Sequence, residues 1–515
     1  MKKSGTGQGQ DQATLVTSLM RADAYPHPVT KLELYDTHIS WVILTGPFAY
    51  KIKKALKLEF LDFSTLELRR HFCEEELRLN RRWAPELYLD VVTVAGSQTR
   101  PVLGGAGAPL EYAVKMLQFE QEFQLDKQLG LDRLTAQDMR DLAETIDGYH
   151  AKAEIVPLVD EEQAVDDVSA PMFENFPPLQ RVANPAQLDD VRSWTENTLD
   201  GLRGNLLQRR EAGFVRECHG DLHLTNLVRL PSGIVPYDCV EFAPELRVMD
   251  VLSDLSFLVM DLVARGRPDL GFVLLNRYLE KNGDYSGMTV FGLYFVYHCM
   301  IRAKVAAIRS TERSLEELKS RLAVAVEWIE LPPPVLVLMH GFSGSGKTWL
   351  SSQLLPELPA IRIRSDIERK RLHGLGELER SESGVEEGIY TKSATTDVYD
   401  HMMKAADSLL GSGFNVILDA SFLRQSMRRA AEELAGNRGA SFVILETTTA
   451  KDELERRLRQ RAESGADSSE AGREVLDYQL GHADPLDDAE RQRRITIATD
   501  QEFDLAEIMH QVRML

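Results

Sequence analysis

The rhythm of apolar positions along the chain changes near residue 330. Before it, ISWVILTG (39–46), FAYKIKKAL (48–56), LYLDVVTVA (87–95) and EYAVKMLQF (111–119) alternate apolar with polar residues or carry β-branched and aromatic ones. That is the pattern of half-buried strands. TLELRRHFCEEELRLNRRW (65–83) interrupts them with helical spacing, and residues 135–215 read mostly as helix. Segment 218–242 reads as loop, strand (LVRL), turn (PSG) and strand (IVPYD). Residues 249–280 and 290–309 are helical and largely apolar. The pattern predicts a strand-rich lobe followed by a helix-rich lobe.

ERSLEELKSRLAVAVEWI (312–329) reads as an amphipathic helix, and LPPP (331–334) stops it. Short apolar runs then follow at 335–340, 360–364, 415–419 and 441–446, alternating with helical stretches. This βαβα alternation predicts a parallel sheet covered by helices. Two domains are expected, residues 1–330 of α+β type and residues 335–515 of α/β type, with no internal repeat between them.

Composition narrows the class. Of 515 residues, 43% are hydrophobic and 27% charged, an ordinary globular balance with material for more than one core. The formal net charge of −20 disfavours non-specific binding to nucleic acid or to a membrane surface. Cys73, Cys218, Cys239 and Cys299 form no CxxC pair, so no disulfide or zinc framework is expected. The start, MKKSGTGQGQDQ, lacks the apolar run of a signal peptide and reads as a short disordered tail. No run of membrane-spanning length is read, and the expected location is cytoplasmic.

Two motifs carry chemistry. GFSGSGKT (341–348) fits G-x-x-x-x-G-K-[ST] at every required position, entered by an apolar strand and left by a helical stretch. Gly341, Gly344 and Gly346 let the backbone curl so that its N–H groups, with those of Ser343 and Ser345, face a phosphate. Lys347 brings a point charge to the β/γ-phosphates, and Thr348 a magnesium ligand. The next strand ends in Ser365 and Asp366, where a carboxylate could take a proton from a substrate hydroxyl or cap the following helix. NVILD places Asp419 as a second magnesium acid. In 451–474, Arg456, Arg457, Arg461 and Arg473 flank a Gly/Ser loop and form a candidate lid over a transferring phosphate, with Arg457 as the catalytic candidate.

On GFSGSGKT, RSD (364–366), LDASF (418–422) and the arginine-rich lid, this half resembles the small P-loop kinases. Those include gluconate kinase, chloramphenicol phosphotransferase, the kinase part of polynucleotide kinase and the zeta-toxin group. The resemblance implies phosphoryl transfer from ATP to a hydroxyl, with Asp366 at the acceptor. Arg362, Arg364, Arg369, Lys370 and Arg371 would suit an anionic acceptor or form a solvated helix face.

The second motif, CHGDLHLTN (218–226), has the spacing H-x-D-x-x-x-x-N from His219. That is the catalytic-loop spacing of protein-kinase-like enzymes, with Asp221 at the acceptor hydroxyl and Asn226 on magnesium. Strand IVPYD then ends in Asp238, a second magnesium acid, followed by Cys239 and Val240 rather than Phe-Gly. HGDLHLTN, YDCVEF and RVMDVLSDLS, with Asp250 and Asp254, resemble the aminoglycoside phosphotransferase and choline kinase family. The resemblance implies a protein-kinase-like fold. It also implies a phosphate-gripping lysine in FAYKIKKAL, Lys51 with Lys53 as competitor. The partner glutamate would come from Glu74, Glu75 and Glu76, of which Glu76 is preferred for its apolar neighbours Leu79 and Trp83. Met116 would open the adenine hinge.

The order of the two halves resembles bacterial proteins described as bifunctional aminoglycoside phosphotransferase/ATP-binding proteins, pairing a phosphotransferase-like domain with an AAA-type P-loop domain. It implies a tandem kinase using ATP and Mg2+ on small-molecule hydroxyl acceptors. One alternative pairs a single catalytic domain with a regulatory ATP-binding one. Another is a polynucleotide or nucleotide-sugar kinase of toxin or repair type, which the net charge disfavours and the 362–371 basic run favours.

Overall fold

The computed structural model describes residues 7–58, 61–381, 383–384, 386–464 and 468–514. By packing, the chain divides into two compact units: residues 1–159 with 210–258, and residues 160–209 with 259–515.

In the first unit six strands form one antiparallel sheet. They are β1 (Glu33–Asp36), β2 (Ser40–Leu44), β3 (Phe48–Lys53), β4 (Tyr88–Ser97), β5 (Arg100–Leu103) and β6 (Glu111–Leu117), in the order β1-β2-β3-β6-β4-β5. Helix α1 (Leu66–Asn80) starts where the Thr65 hydroxyl accepts from Leu68 N–H. It is pinned to β6 by Arg69, whose Nε donates to both oxygens of buried Glu111 at 2.9 Å. Beneath the sheet, Ala49, Cys73, Tyr88, Val114 and Met116 share a core with Val228 and Tyr237. Val228 lies on the hairpin β7 (Leu227–Leu230) and β8 (Gly233–Pro236), and Tyr237 follows β8. This core fixes the hairpin that carries Asp238 against the strand that carries Lys51. The strand-rich lobe, the interrupting helix and the hairpin make a protein-kinase-like fold.

The N-terminal stretch departs from the tail expected of it. A helix spans Gly7–Ser18, and buried Gln12 explains its order: its Nε2 donates to Lys53 O and Glu111 Oε2, and its Oε1 accepts from Ala55 N–H.

In the second unit β9 (Val335–His340), β10 (Ala360–Arg364), β11 (Asn415–Asp419), β12 (Ser441–Thr448) and β13 (Arg494–Ala498) form an all-parallel sheet in the order β10-β11-β9-β12-β13. β13 is an addition to the four strands read from the sequence; its RITIA run alternates and is flanked by charge. The packing border falls away from residues 330–335. Helix α2 (Pro268–Asn282) lies along β10, where Asn276 Nδ2 donates to Ala360 O at 2.8 Å and its Oδ1 accepts from Arg362 N–H at 2.7 Å. Phe414, just before β11, meets the rings of Phe291 and Trp328 edge-on. Helices that precede 330 in sequence are therefore packed with the parallel sheet. One of them, Met288–Arg309, is long and apolar enough by composition to cross a membrane, against the sequence reading; 56% of that window is buried within the protein.

Candidate active sites

In the first unit, β3 brings two lysines to one glutamate. Lys51 Nζ lies 2.8 Å from Glu76 Oε1, and Lys53 Nζ lies 2.7 Å from Glu76 Oε2. Neighbouring Glu74 pairs instead with Arg70, and Glu75 with Arg78, both on the helix surface. Lys51 also reaches Asp238 Oδ1 at 2.5 Å, and Lys53 pairs with buried Glu241. Burial opposes the charge on Lys51, but Asp238, Glu76 and Glu241 outweigh it and hold the ammonium well above its usual range. Burial likewise opposes the Glu76 carboxylate; Lys51 and Lys53 prevail and hold it well below the usual range. Glu241 goes the other way: burial raises it more than Lys53 lowers it. Ala49 sits opposite Met116 in the β3–β6 register, both buried.

The stretch 218–226 is held from behind by Asp254. Its carboxylate accepts from His219 N–H at 3.1 Å and Gly220 N–H at 2.9 Å, and contacts His150 Nε2 at 3.1 Å. Gly220 has φ +83°, and a Cβ there would lie 2.6 Å from Leu246 O, so only glycine fits. His219 is buried and its burial lowers its pKa against the pull of Asp254 and Asp221. A neutral ring is what the contacts need: Nδ1 accepts from Asp221 N–H and Nε2 faces Tyr237 O at 3.0 Å. Asp221 Oδ2 accepts from Asn226 Nδ2 at 2.9 Å, and His223, without an assigned role in the sequence, lies 3.3 Å from Asp221 Oδ1. Asp238 takes a left-handed φ of 63°, with its N–H held by the Tyr88 hydroxyl at 3.1 Å. A non-glycine residue held in that region by its surroundings marks a strained position.

In the second unit the loop 341–346 joins β9 to helix α3 (Lys347–Leu354). Gly341, Gly344 and Gly346 all have positive φ, and a Cβ on Gly341 would lie 2.6 Å from Thr447 O. Lys347 lies back along the loop and donates to Gly341 O and Phe342 O at 2.9 and 2.8 Å. Burial, with Arg461 adding repulsion, pushes its ammonium down to about 8 in spite of Asp419 and Asp366. Asp419, at the end of β11, faces Thr348 Oγ1 at 3.3 Å and Ser351 Oγ at 3.0 Å. Ser343 N–H donates to Gln479 Oε1, and Ser345 Oγ lies 2.6 Å from Thr447 Oγ1.

A cleft of about 550 Å³ opens over this loop, lined among others by Lys347, Thr348, Asp366, Asp419, Arg457 and Arg461. Asp366 lies in the first turn of helix α4 (Ser365–Leu372). That helix has Arg364 as its N-cap and no side-chain cap bond, so the capping alternative for Ser365 and Asp366 is not what is seen. Of the five basic residues in 362–371, Arg364 and Arg369 line the cleft. Arg362 turns to Glu280, Lys370 to Glu377 O, and Arg371 to Glu368. The four lid arginines separate as well. Arg457, on helix α5 (Lys451–Ser464), donates to Gly344 O and Thr499, and Arg461 lines the cleft. Arg456 pairs with Glu453 on the surface, and Arg473 is exposed beside Glu455. Part of the expected lid loop, 465–467, lies outside the described residues.

The donors present suit a hard divalent cation. Asn226 and Asp238 in one site, and Thr348 and Asp419 in the other, offer amide, hydroxyl and carboxylate oxygens, the set magnesium takes. The sequence reading missed Ser351, Thr447 and Gln479 in the second site and Glu241 in the first. Only Ser351 had a local signal, three residues after Thr348 and so on the same helix face.

Residues 336–486 match the family model described as AAA domain. Over 453 residues the chain is 28% identical to the uncharacterized protein Rv2004c of Mycobacterium tuberculosis, covering 86% of this chain and 89% of that one. The uncharacterized protein Mb2027c of Mycobacterium bovis matches equally. Among solved structures, a choline/ethanolamine kinase family protein from Mesorhizobium loti is 14% identical, spans 63% of this chain and 95% of its own, and has a TM-score of 0.40. The APS kinase CysC of Mycobacterium tuberculosis is 18% identical, spans 36% and 95%, and has a TM-score of 0.24. The AAA-domain match falls on the P-loop unit and takes in the loop 341–348 and four of the five strands of its parallel sheet.

Proposed function

We propose that the protein is an ATP-dependent phosphotransferase with two sites, each passing the γ-phosphate to a hydroxyl of a small-molecule acceptor. The observation that carries this reading is a shared arrangement. Each site sets a lysine that can grip phosphate beside a carboxylate that can hold magnesium: Lys51 with Asp238, and Lys347 with Asp419. An aspartate for the acceptor accompanies each pair. In the first site Lys51 binds phosphate, Asn226 and Asp238 hold the cation, and Asp221 accepts the acceptor's proton. In the second, the loop amides and Lys347 bind phosphate, Thr348 and Asp419 hold the cation, and Asp366 accepts the proton. Arg457 and Arg461 face the transferring group. Bound magnesium would neutralise charge on the phosphates. Arg364 and Arg369 line the second cleft together with Asp366, which favours an acceptor that carries an anionic group beside its hydroxyl.

The test uses labelled ATP with a panel of small hydroxyl compounds and 5′-hydroxyl oligonucleotides. Wild type, Asp221→Ala and Lys347→Ala are compared. Two variants that each abolish a different product support two kinases. One variant that leaves every product unchanged removes its site from the reading, and transfer to oligonucleotides alone overturns the small-molecule assignment.

A further inference from the structure

Helix α2 reaches the cation end of the P-loop site through an unbroken line of buried polar contacts. Arg362 Nη2 donates to Glu280 Oε1 at 2.8 Å. Arg362 Nη1 donates to Ser351 Oγ at 3.1 Å and to Ser352 Oγ at 2.6 Å. Ser351 Oγ in turn donates toward Asp419 Oδ2 at 3.0 Å, while Thr348 Oγ1 meets Oδ1 of the same carboxylate at 3.3 Å. Glu280, Arg362, Ser351 and Asp419 are all buried. One turn back on α2, Asn276 holds the β10 backbone on both sides of Ile361.

The chemistry of the line is directional. A serine hydroxyl has one hydrogen and two lone pairs. With a guanidinium donating into its oxygen, the Ser351 proton is left for an acceptor, and the charge behind it strengthens that donation. Thr348 O at 3.0 Å competes for the same proton. The position of Arg362 therefore bears on which acceptor receives it. Glu280 fixes that position: burial opposes its carboxylate, but Arg362, with Arg364 and Arg277, holds it below the usual range and charged. Outer partners of this kind orient metal ligands and alter metal affinity.

We propose that Glu280, acting through Arg362 and Ser351, is a positioning residue for Asp419, so that α2 sets the carboxylate that holds the nucleotide's divalent cation in the P-loop site. This rests on the reading of that site given above. Its hydrogen bonds end on Asp419 and on Thr348 O, not on the loop 341–346 or on the Lys347 ammonium, which donates to Gly341 O and Phe342 O.

The test uses the full chain in a Lys51→Met background, so that nucleotide binding reports on the P-loop site. AMPPNP binding and ATP hydrolysis are measured across free Mg2+ for Ser351→Ala, Glu280→Gln, Glu280→Asp and the Ser351→Ala/Glu280→Gln double variant. Each Ala or Gln variant is expected to raise the Mg2+ requirement about tenfold, with AMPPNP affinity at saturating Mg2+ retained. Glu280→Asp recovers part of the loss, and the double variant is no worse than the weaker single. An unchanged Mg2+ requirement in folded Ser351→Ala, or a double effect equal to the product of the singles, overturns the proposal. Should Glu280→Gln fail to fold, Arg362→Lys takes its place with the same two outcomes. Lys347→Ala is the control: if it leaves AMPPNP binding unchanged, the P-loop reading itself fails.

Discussion

Glu76 gives one carboxylate oxygen to Lys51 and the other to Lys53, two residues apart on a single strand. The two lysines then part company. Lys51 reaches Asp238, whose side chain is 43% exposed, while Lys53 is 0% exposed and ends on buried Glu241. Function and stability should separate along the same line. Lys51→Met is expected to abolish nucleotide binding in the first unit with a modest change in unfolding free energy. Lys53→Met is expected to cost about 3–5 kcal/mol, because it leaves Glu241 buried without its partner. AMPPNP calorimetry and urea unfolding distinguish the two.

That second variant also has a pH signature. Burial already raises Glu241 above its ordinary value, and losing Lys53 raises it further. A carboxyl with a raised folded-state pKa contributes stability at low pH that is lost as pH rises through that value. Lys53→Met should therefore be closer to wild type at pH 5 than at pH 9. Urea midpoints at the two values check this; equal deficits would speak against a charged Glu241 as the cause.

At Gly220 the argument is steric. A methyl group there meets Leu246 O at 2.6 Å in a backbone conformation with φ +83°. Gly220→Ala is expected to cost about 1–3 kcal/mol and to shift Asp221 with it. Transfer at the first site should fall while the P-loop activity holds. Loss of both activities in parallel would point to global unfolding instead.

Lys347 should make nucleotide binding at the P-loop site pH-linked. Its ammonium is pushed down to about 8, and a bound triphosphate favours the charged form. Between about pH 8 and its ordinary 10.5, binding must then take up a proton, and affinity should weaken as pH rises through that window. Calorimetry in buffers of different ionisation enthalpy counts the proton directly; no uptake at pH 9 would contradict the shift.

The arginines of α5 divide by what they touch. Arg457 holds Gly344 O and Thr499, whereas Arg456 pairs with Glu453 and Gln460 on its own helix. Arg457→Ala should lower turnover at the P-loop site by about 10²-fold. Arg456→Ala should stay within about 0.5 kcal/mol of wild type in stability and leave turnover unchanged.

What the sequence showed and what it hid follow from locality. The phosphate loop is contiguous, so its glycines, its lysine and the flanking strand and helix could all be read in one window. The H-x-D-x-x-x-x-N spacing is similarly local, and so is the hairpin that ends in Asp238. Three adjacent glutamates left a choice that only apolar neighbours could inform; in the fold they point to three different partners, Arg70, Arg78 and the lysine pair. Lys51 and Lys53 stayed ambiguous because they share a strand face, and both indeed contact Glu76. Thr447 and Gln479 join their site across long stretches of chain, where no spacing rule applies; Glu241 stands three residues after Asp238, but its partner Lys53 is 188 residues away. The border at 330–335 was drawn from a proline-rich break, but side-chain packing across β10 does not respect it.

Asn276 has a consequence beyond orientation. β10 is the outermost strand of the parallel sheet, and its outer backbone groups are a template on which another strand could pair. One side-chain amide satisfies both a donor, Arg362 N–H, and an acceptor, Ala360 O, much as a neighbouring strand would. A fragment beginning at 335 would lack α2 and present that edge bare. Such a fragment is expected to self-associate through it, so a P-loop unit prepared in isolation would be limited by aggregation before its catalysis could be judged.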